Sequence, residues 1–77
     1  MIQTQYAFIH FVHIADKPKT QVWSCRNSKS GDELGQIKWY PAWRQYCYFP
    51  NQPAIYSKGC LLDIISFMEE LSLDHRG

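Results

Sequence analysis

Apolar positions along this chain recur with two different periods, and the change of period divides it. Residues 6–14, YAFIHFVHI, are almost wholly apolar or aromatic, carry β-branched side chains and are interrupted only by His10 and His13. That composition predicts a strand over 6–14. The ADKPKT that follows is turn chemistry, because Pro18 fixes φ and removes a backbone donor. Residues 20–26, TQVWSCR, alternate as a second strand, with Trp23 and Cys25 on one face and Val22, Ser24 and Arg26 on the other. The polar NSKSGDELG closes a hairpin, and Gly31 is available for a positive φ. Residues 35–40 make a third strand in which Ile37 and Trp39 share one face while Lys38 and Tyr40 share the other. Pro41 and Ala42 suit a tight reversal, and residues 43–49 make a fourth strand. There Cys47 and Phe49 lie on one face, and Arg44, Tyr46 and Tyr48 on the other. Pro50 and Pro53 end it, since proline cannot donate to a ladder.

Beyond Pro53 the period becomes helical. Ser57 is placed to cap a helix over 57–72, satisfying a backbone donor that the first turn leaves free. Leu61, Ile64, Ile65, Met68 and Leu71 recur as one apolar stripe, which Cys60 and Phe67 widen, while Asp63, Glu69 and Glu70 take much of the solvent side. Residues 1–5 and 73–77 are expected to be frayed. The predicted fold is a single α+β domain over 1–77: a four-stranded antiparallel β-meander with one C-terminal helix packed on one face, ββββα. Phase within each strand puts Trp23, Cys25, Ile37, Trp39, Cys47 and Phe49 under the helix. It leaves Arg26, Lys38, Tyr40, Arg44, Tyr46 and Tyr48 on the open face. A bulge would exchange the faces.

Composition narrows the function. Seventy-seven residues make one domain of marginal stability, with no room for a separate catalytic domain. Six of the twelve aromatic residues fall within residues 37–50, IKWYPAWRQYCYFP, with Lys38 and Arg44 threaded between them. The net charge of +1 selects no partner, but residues 16–58 carry +4 and residues 59–77 carry −3, giving a basic middle and an acidic end. Cys25, Cys47 and Cys60 are odd in number and far apart, so a closed disulfide framework is excluded and free thiols in a reducing compartment are expected. No basic region precedes an apolar run at the start, and no apolar run approaches the ~20 residues of a membrane helix. A cytoplasmic protein is expected, with no membrane partner.

Parts of the chain resemble a known family. The run ADKPKT over 15–20, then Val22-Trp23, then LGQIKWY over 34–40, WRQYCYFP over 43–50 and Gly59-Cys60-Leu61 before Asp63-Ile64 is similar to a family of short proteins encoded in bacteriophage and prophage genomes. The shared pattern WYxxWRQYCxFP is distinctive, and Tyr48 stands where phenylalanine is expected. The resemblance implies a single-domain phage product acting in the cytoplasm of a bacterial host. That family has no established role, so the resemblance transfers no catalytic residue.

His10 and His13 point to opposite sides of a strand and do not make a metal pair. Cys60 at the first helical turn sits where a thiol pKa is lowered, yet it also extends the apolar stripe, so it reads as core. No catalytic residue, metal or cofactor is expected, and no small-molecule substrate is indicated. The contact surface is expected at Arg26, Lys38, Tyr40, Trp43, Arg44, Tyr46 and Tyr48, with Trp43 flanking the Pro41 turn. Tyr, Trp and Arg are the types enriched at protein interfaces, so the expected function is non-enzymatic protein binding, either to a host protein or to a second copy of the chain. The alternative is single-stranded nucleic acid stacking on the same tyrosines, with the cations on its backbone.

Overall fold

The computed structural model describes residues 2–76. It contains four strands and one helix: β1 (Ile9–Asp16), β2 (Gln21–Asn27), β3 (Glu33–Tyr40), β4 (Gln45–Pro50) and α1 (Lys58–Arg76). The strands form one antiparallel sheet in sequence order and α1 lies across one of its faces, so the α+β ββββα arrangement is the one observed. Ser57 caps the helix as its sequence position required: its Oγ accepts the Cys60 N–H at 3.2 Å and its carbonyl accepts the Leu61 N–H at 3.0 Å.

The core lies between the sheet and α1. Ile9 and Phe11 of β1, Cys25 of β2, Ile37 of β3 and Tyr46 of β4 meet Ile64, Phe67 and Leu71, all buried. Phe67 is the centre of this layer. Its ring is parallel to that of Phe11 with centroids 4.0 Å apart and meets Trp23 edge-on at 5.1 Å. The expected helical stripe is therefore rotated. Phe67, placed at its margin, is wholly buried, whereas Leu61 and Ile65 are about half exposed. Cys60, Ile64, Phe67 and Leu71 sit three and four residues apart on one side of the helix, which is the side that reaches the sheet.

Element ends also differ from expectation. β1 starts at Ile9 because the chain turns at 6–9, where the Tyr6 N–H donates to the Ile9 carbonyl at 2.9 Å. Residues 2–5 run back beside β1: Gln5 bridges to His10, the Thr4 carbonyl accepts the Phe11 N–H, and the Gln3 N–H donates to the Glu70 carboxylate. They are held there because Ile2 and Tyr6 pack on the core. The helix runs past Ser72 to Arg76, since Leu71 is buried and the His75 ring sits 4.6 Å from that of Trp39. Met1 and Gly77, also expected to be frayed, lie outside the described residues.

The largest correction concerns β4. Trp39 pairs with Tyr46, Lys38 with Cys47, Ile37 with Tyr48 and Gln36 with Phe49. Directly opposed residues share a face, so Tyr46 and Tyr48 lie under the helix while Cys47 and Phe49 lie on the open face. The expected faces of this strand are exchanged. The connection is the cause: residues 41–44 form a loop of even length between the closing pair Tyr40 and Gln45, and the expected faces require an odd one. Trp43 and Arg44 belong to this loop and not to the strand.

Arg44 closes the loop with φ 52°, the only non-glycine positive φ among the described residues, and is exposed. A left-handed conformation costs an ordinary L residue roughly 1–2 kcal/mol. Arg44→Gly is therefore expected to stabilise the domain by about 0.5–1 kcal/mol once the extra backbone entropy of glycine is set against that relief. Arg44→Ala should change stability by less than about 0.5 kcal/mol. Urea denaturation of the two variants checks both values; a destabilising glycine would show that the arginine side chain holds the loop.

Candidate binding groove

The seven residues expected to form one contact surface are divided three ways. Arg26, Lys38 and Tyr40 stay on the open face of the sheet. Trp43 and Arg44 occupy the β3–β4 loop. Tyr46 and Tyr48 turn toward α1. The tyrosine stacking platform with Lys38, Arg44 and Arg26 is thus not assembled, because two of its three rings are committed to the helix side.

Both of those tyrosines have structural partners. The Tyr46 hydroxyl accepts the Gln21 N–H at 3.2 Å, and its ring stands edge-on to Trp39 at 5.3 Å. The Tyr48 hydroxyl lies 2.9 Å from that of Tyr56, which donates to the Leu34 carbonyl at 2.7 Å, so Tyr48 is the donor in the pair. Burial, reinforced by the Tyr56 hydroxyl, pushes the Tyr48 phenol pKa well above its ordinary value. Burial also raises the Cys25 thiol to about 11, leaving it protonated and unreactive at neutral pH. Among the described residues no three His, Cys, Asp or Glu side chains are grouped to hold a metal ion.

The open face divides into two parts. Near β4, the Lys38 Nζ sits 4.6 Å from the centroid of the Phe49 ring, and Tyr40 meets Phe49 and Trp43 edge-on. Near β2, a polar clasp forms around Glu33. Its Oε2 accepts from Ser24 Oγ at 2.6 Å and from Gln36 Nε2 at 3.3 Å, and its Oε1 accepts from Asn51 Nδ2 at 2.9 Å. Arg26 Nε donates to the same Ser24 Oγ at 3.0 Å, so this arginine is tied into the clasp. Ser24 is wholly buried, and the carboxylate satisfies its hydroxyl.

Those hydrogen bonds, the Ser24 one foremost, hold the Glu33 pKa below its ordinary value near 4.5. A depressed carboxylate contributes stability that is fully present above the unfolded-state pKa and is lost as pH falls through the folded-state value. Glu33→Gln should therefore flatten the acid limb of stability below about pH 4.5 and lower stability most above it. Thermal melts of wild type and variant between pH 2.5 and 7 check this; parallel curves across that range would remove Glu33 as the acid-sensitive group.

A concavity of about 590 Å³ runs between β4 and α1. Trp43, Tyr46 and Tyr48 line it from the sheet, and Ile65, Met68 and Leu73 from the helix. Trp43 and Leu73 are each 66% exposed and Ile65 48%. Leu62, also about half exposed, continues the apolar side of the helix that turns away from the core. The helical period places Ile65 and Met68 in the core stripe and Leu73 beyond the expected helix end at residue 72. The available signal was the helix itself, whose apolar arc is wider than one sheet face can cover.

β4 is also an edge strand. The Asn51 N–H donates to the Leu34 carbonyl at 2.9 Å. In the alternating antiparallel pattern the main-chain groups of Gln45, Cys47 and Phe49 then point at β3, and those of Tyr46, Tyr48 and Pro50 point outward. Pro50 lacks an N–H, so the edge offers two donors, at Tyr46 and Tyr48. The β1 edge is different: the Phe11 N–H and the Ile9 carbonyl are already engaged by residues 4 and 6, and the register shifts between His13 and Ala15. Proteins commonly blunt an edge in these ways. Here the first half of one edge is covered and its second half is broken by a register shift, while the other edge is open beside an apolar groove.

No helix among the described residues is long and apolar enough to cross a membrane. No protein-family model matches the chain, and no curated protein or solved structure matches it.

Proposed function

We propose that the domain is a non-enzymatic protein-binding module that receives an extended segment of a protein partner along β4. The observation that carries this reading is the edge of β4, unpaired among the described residues and lying directly beside an exposed apolar groove. Strand addition supplies main-chain hydrogen bonds to Tyr46 and Tyr48, while alternate side chains of the incoming segment drop into pockets. Those facing α1 meet Ile65, Met68 and Leu73. Those facing the other way meet Cys47 and Phe49, and Trp43 stands at the end of the groove. Apolar pockets beside a sheet edge suit an extended polypeptide, whereas a nucleic acid strand would need open cation-bearing rings. Burial of Cys25 and the role of Cys60 in the core support a non-catalytic domain. The phage resemblance supports action in the cytoplasm of a bacterial host, on a host protein or on a second copy of the chain.

The test is a random-peptide selection against sparsely immobilised protein, followed by amide shift mapping of the selected peptides. Binders should perturb the Tyr46, Tyr48 and Leu73 amides, and Ile65→Lys or Leu73→Lys should weaken them at least tenfold with stability changed by less than about 0.5 kcal/mol, as for exposed positions. Peptides that perturb only Lys38 and Tyr40, or weaken equally little with both variants, would sink the groove as the site.

A further inference from the structure

We propose that the segment seated on β4 is the β4 strand of a second copy of this chain. The product is a two-fold dimer in which two four-stranded sheets join as one, with both helices on the same side. This inference rests on the reading of the β4 edge as a protein-binding site and names the strand that pairs with it; the Tyr46 and Tyr48 side chains of that strand stay under its own helix.

The hydrogen-bonding groups make the edge self-complementary. The outward N–H donors belong to Tyr46 and Tyr48, which lie on either side of Cys47 and also present their carbonyls outward. An antiparallel second β4 centred on Cys47 places Tyr46 of one copy opposite Tyr48 of the other. Both N–H groups and both carbonyls of each copy are then satisfied in reciprocal pairs. Centring on Tyr48 would set Tyr46 opposite Pro50, which has no N–H to give. Centring on Tyr46 would set Tyr48 opposite Arg44, whose N–H already donates to the Pro41 carbonyl at 3.2 Å. Only the Cys47 register matches every outward group of Tyr46 and Tyr48; it leaves the Pro50 carbonyl, opposite Arg44, to solvent.

The covered β1 edge supplies the second argument. A β1–β4 contact between copies would continue indefinitely, as head-to-tail contacts do unless they close. Residues 4–6 occupy the first half of β1, so that contact is blocked and the β4–β4 pairing ends the assembly at two.

The area is sufficient for a reversible dimer. A full Trp ring presents roughly 150–250 Å², so two thirds of Trp43, with the exposed parts of Ile65, Leu73 and the strand edge, come to on the order of 500 Å² per copy. The total, on the order of 1,000 Å², is at the lower limit for a specific interface. The dimer is therefore expected to dissociate on dilution.

In this register the two Cys47 residues form a non-hydrogen-bonded pair across the two-fold axis, with Cα atoms roughly 4.5 Å apart. That spacing falls within the range a disulfide spans. Two copper(II)–phenanthroline complexes take one electron each, becoming copper(I), as two thiols lose two protons and form the S–S bond. The experiment is sedimentation velocity over a dilution series, paired with this oxidation on wild type, Cys47→Ser and Cys60→Ser. The expected result is a doubling of mass at high concentration that reverses on dilution. A covalent dimer should form in wild type and Cys60→Ser, and Cys47→Ser should still associate without being linked. Monomer at every concentration, or a dimer that links through Cys60 or not at all, overturns the proposal. Peptide binding in the groove distinguishes the two failures. A monomer that keeps it loses only the self-pairing, and a monomer without it loses the protein-binding reading as well.

Discussion

Replacing Phe67 with alanine should destabilise the domain by about 3–5 kcal/mol, the cost of truncating a buried phenylalanine. The ring is wholly buried. It touches rings on the two strands furthest from β4, lying parallel to Phe11 at 4.0 Å and edge-on to Trp23 at 5.1 Å. Its loss removes the transfer free energy of the ring and leaves a cavity between the helix and the two strands furthest from β4. A chain of 77 residues has few other large groups to close over that space. At roughly 4–8 °C per kcal/mol for a domain of this size, the melting temperature should fall by tens of degrees. Phe67→Leu keeps most of the volume and should cost about 1–2 kcal/mol, chiefly the ring contacts. Chemical denaturation of the two variants decides the matter; a loss under 1 kcal/mol for the alanine would mean that the helix is held elsewhere.

The order of elements was legible because each rests on a local signal. Period-two alternation marks residues 20–26, prolines at 50 and 53 close β4, and Ser57 stands one residue before the helix that it caps. The faces of β4 were not legible from alternation alone, because alternation is unchanged by sliding a strand one residue. The parity of the loop decides, and loop 41–44 closes only because Arg44 takes a left-handed conformation that arginine does not advertise. The two-residue reversal suggested by Pro41-Ala42 would have given the same parity, since any even loop sets Trp39 and Tyr46 on one face. The apolar character of Cys47 and Phe49 argued the other way, but the open face shelters Phe49 beneath Lys38 and beside Tyr40.

The candidate site was legible as an aromatic stretch and not as a groove. Trp43, Tyr46 and Tyr48 were named, but their helical half was absorbed into a core stripe. Phe67 displaced Ile65 from that core because a ring reaches Phe11 and Trp23 from a helix position that Ile65 cannot share. The fold-back of residues 2–5 had no sequence signal, for it depends on Tyr6 meeting Phe11 edge-on at 5.7 Å after the sheet has formed. That contact covers the β1 edge and so leaves β4 as the edge that can take a partner.

Gly35→Ala should cost about 2–3 kcal/mol, near the upper end of the range for overpacking a filled core. It should do so at the strand pair that carries the groove. The backbone at Gly35 has no positive φ, so the need for glycine is one of space. A Cβ there would sit 2.6 Å from the Tyr48 Cζ and hydroxyl and 2.7 Å from the Phe49 carbonyl oxygen. The Tyr48 ring cannot swing aside without breaking its hydrogen bond to Tyr56 and, through it, the link to the Leu34 carbonyl. The Phe49 carbonyl is backbone of a strand paired with Gln36 and cannot yield alone. The methyl group must therefore push β4 away from β3. Alanine also lowers the entropy of the unfolded chain, which returns about 0.4–1 kcal/mol and is already included in the net figure. A double-mutant cycle with Tyr48→Ala isolates the cause, because in that background the ring is gone and the added methyl should cost markedly less. Displacement of β4 also moves Tyr46 and Tyr48, so Gly35→Ala should weaken binding in the groove at concentrations where the variant is still folded. A variant that melts within 0.5 kcal/mol of wild type would show that β3 and β4 have slack, and the groove would then lose the rigid wall on which strand addition depends.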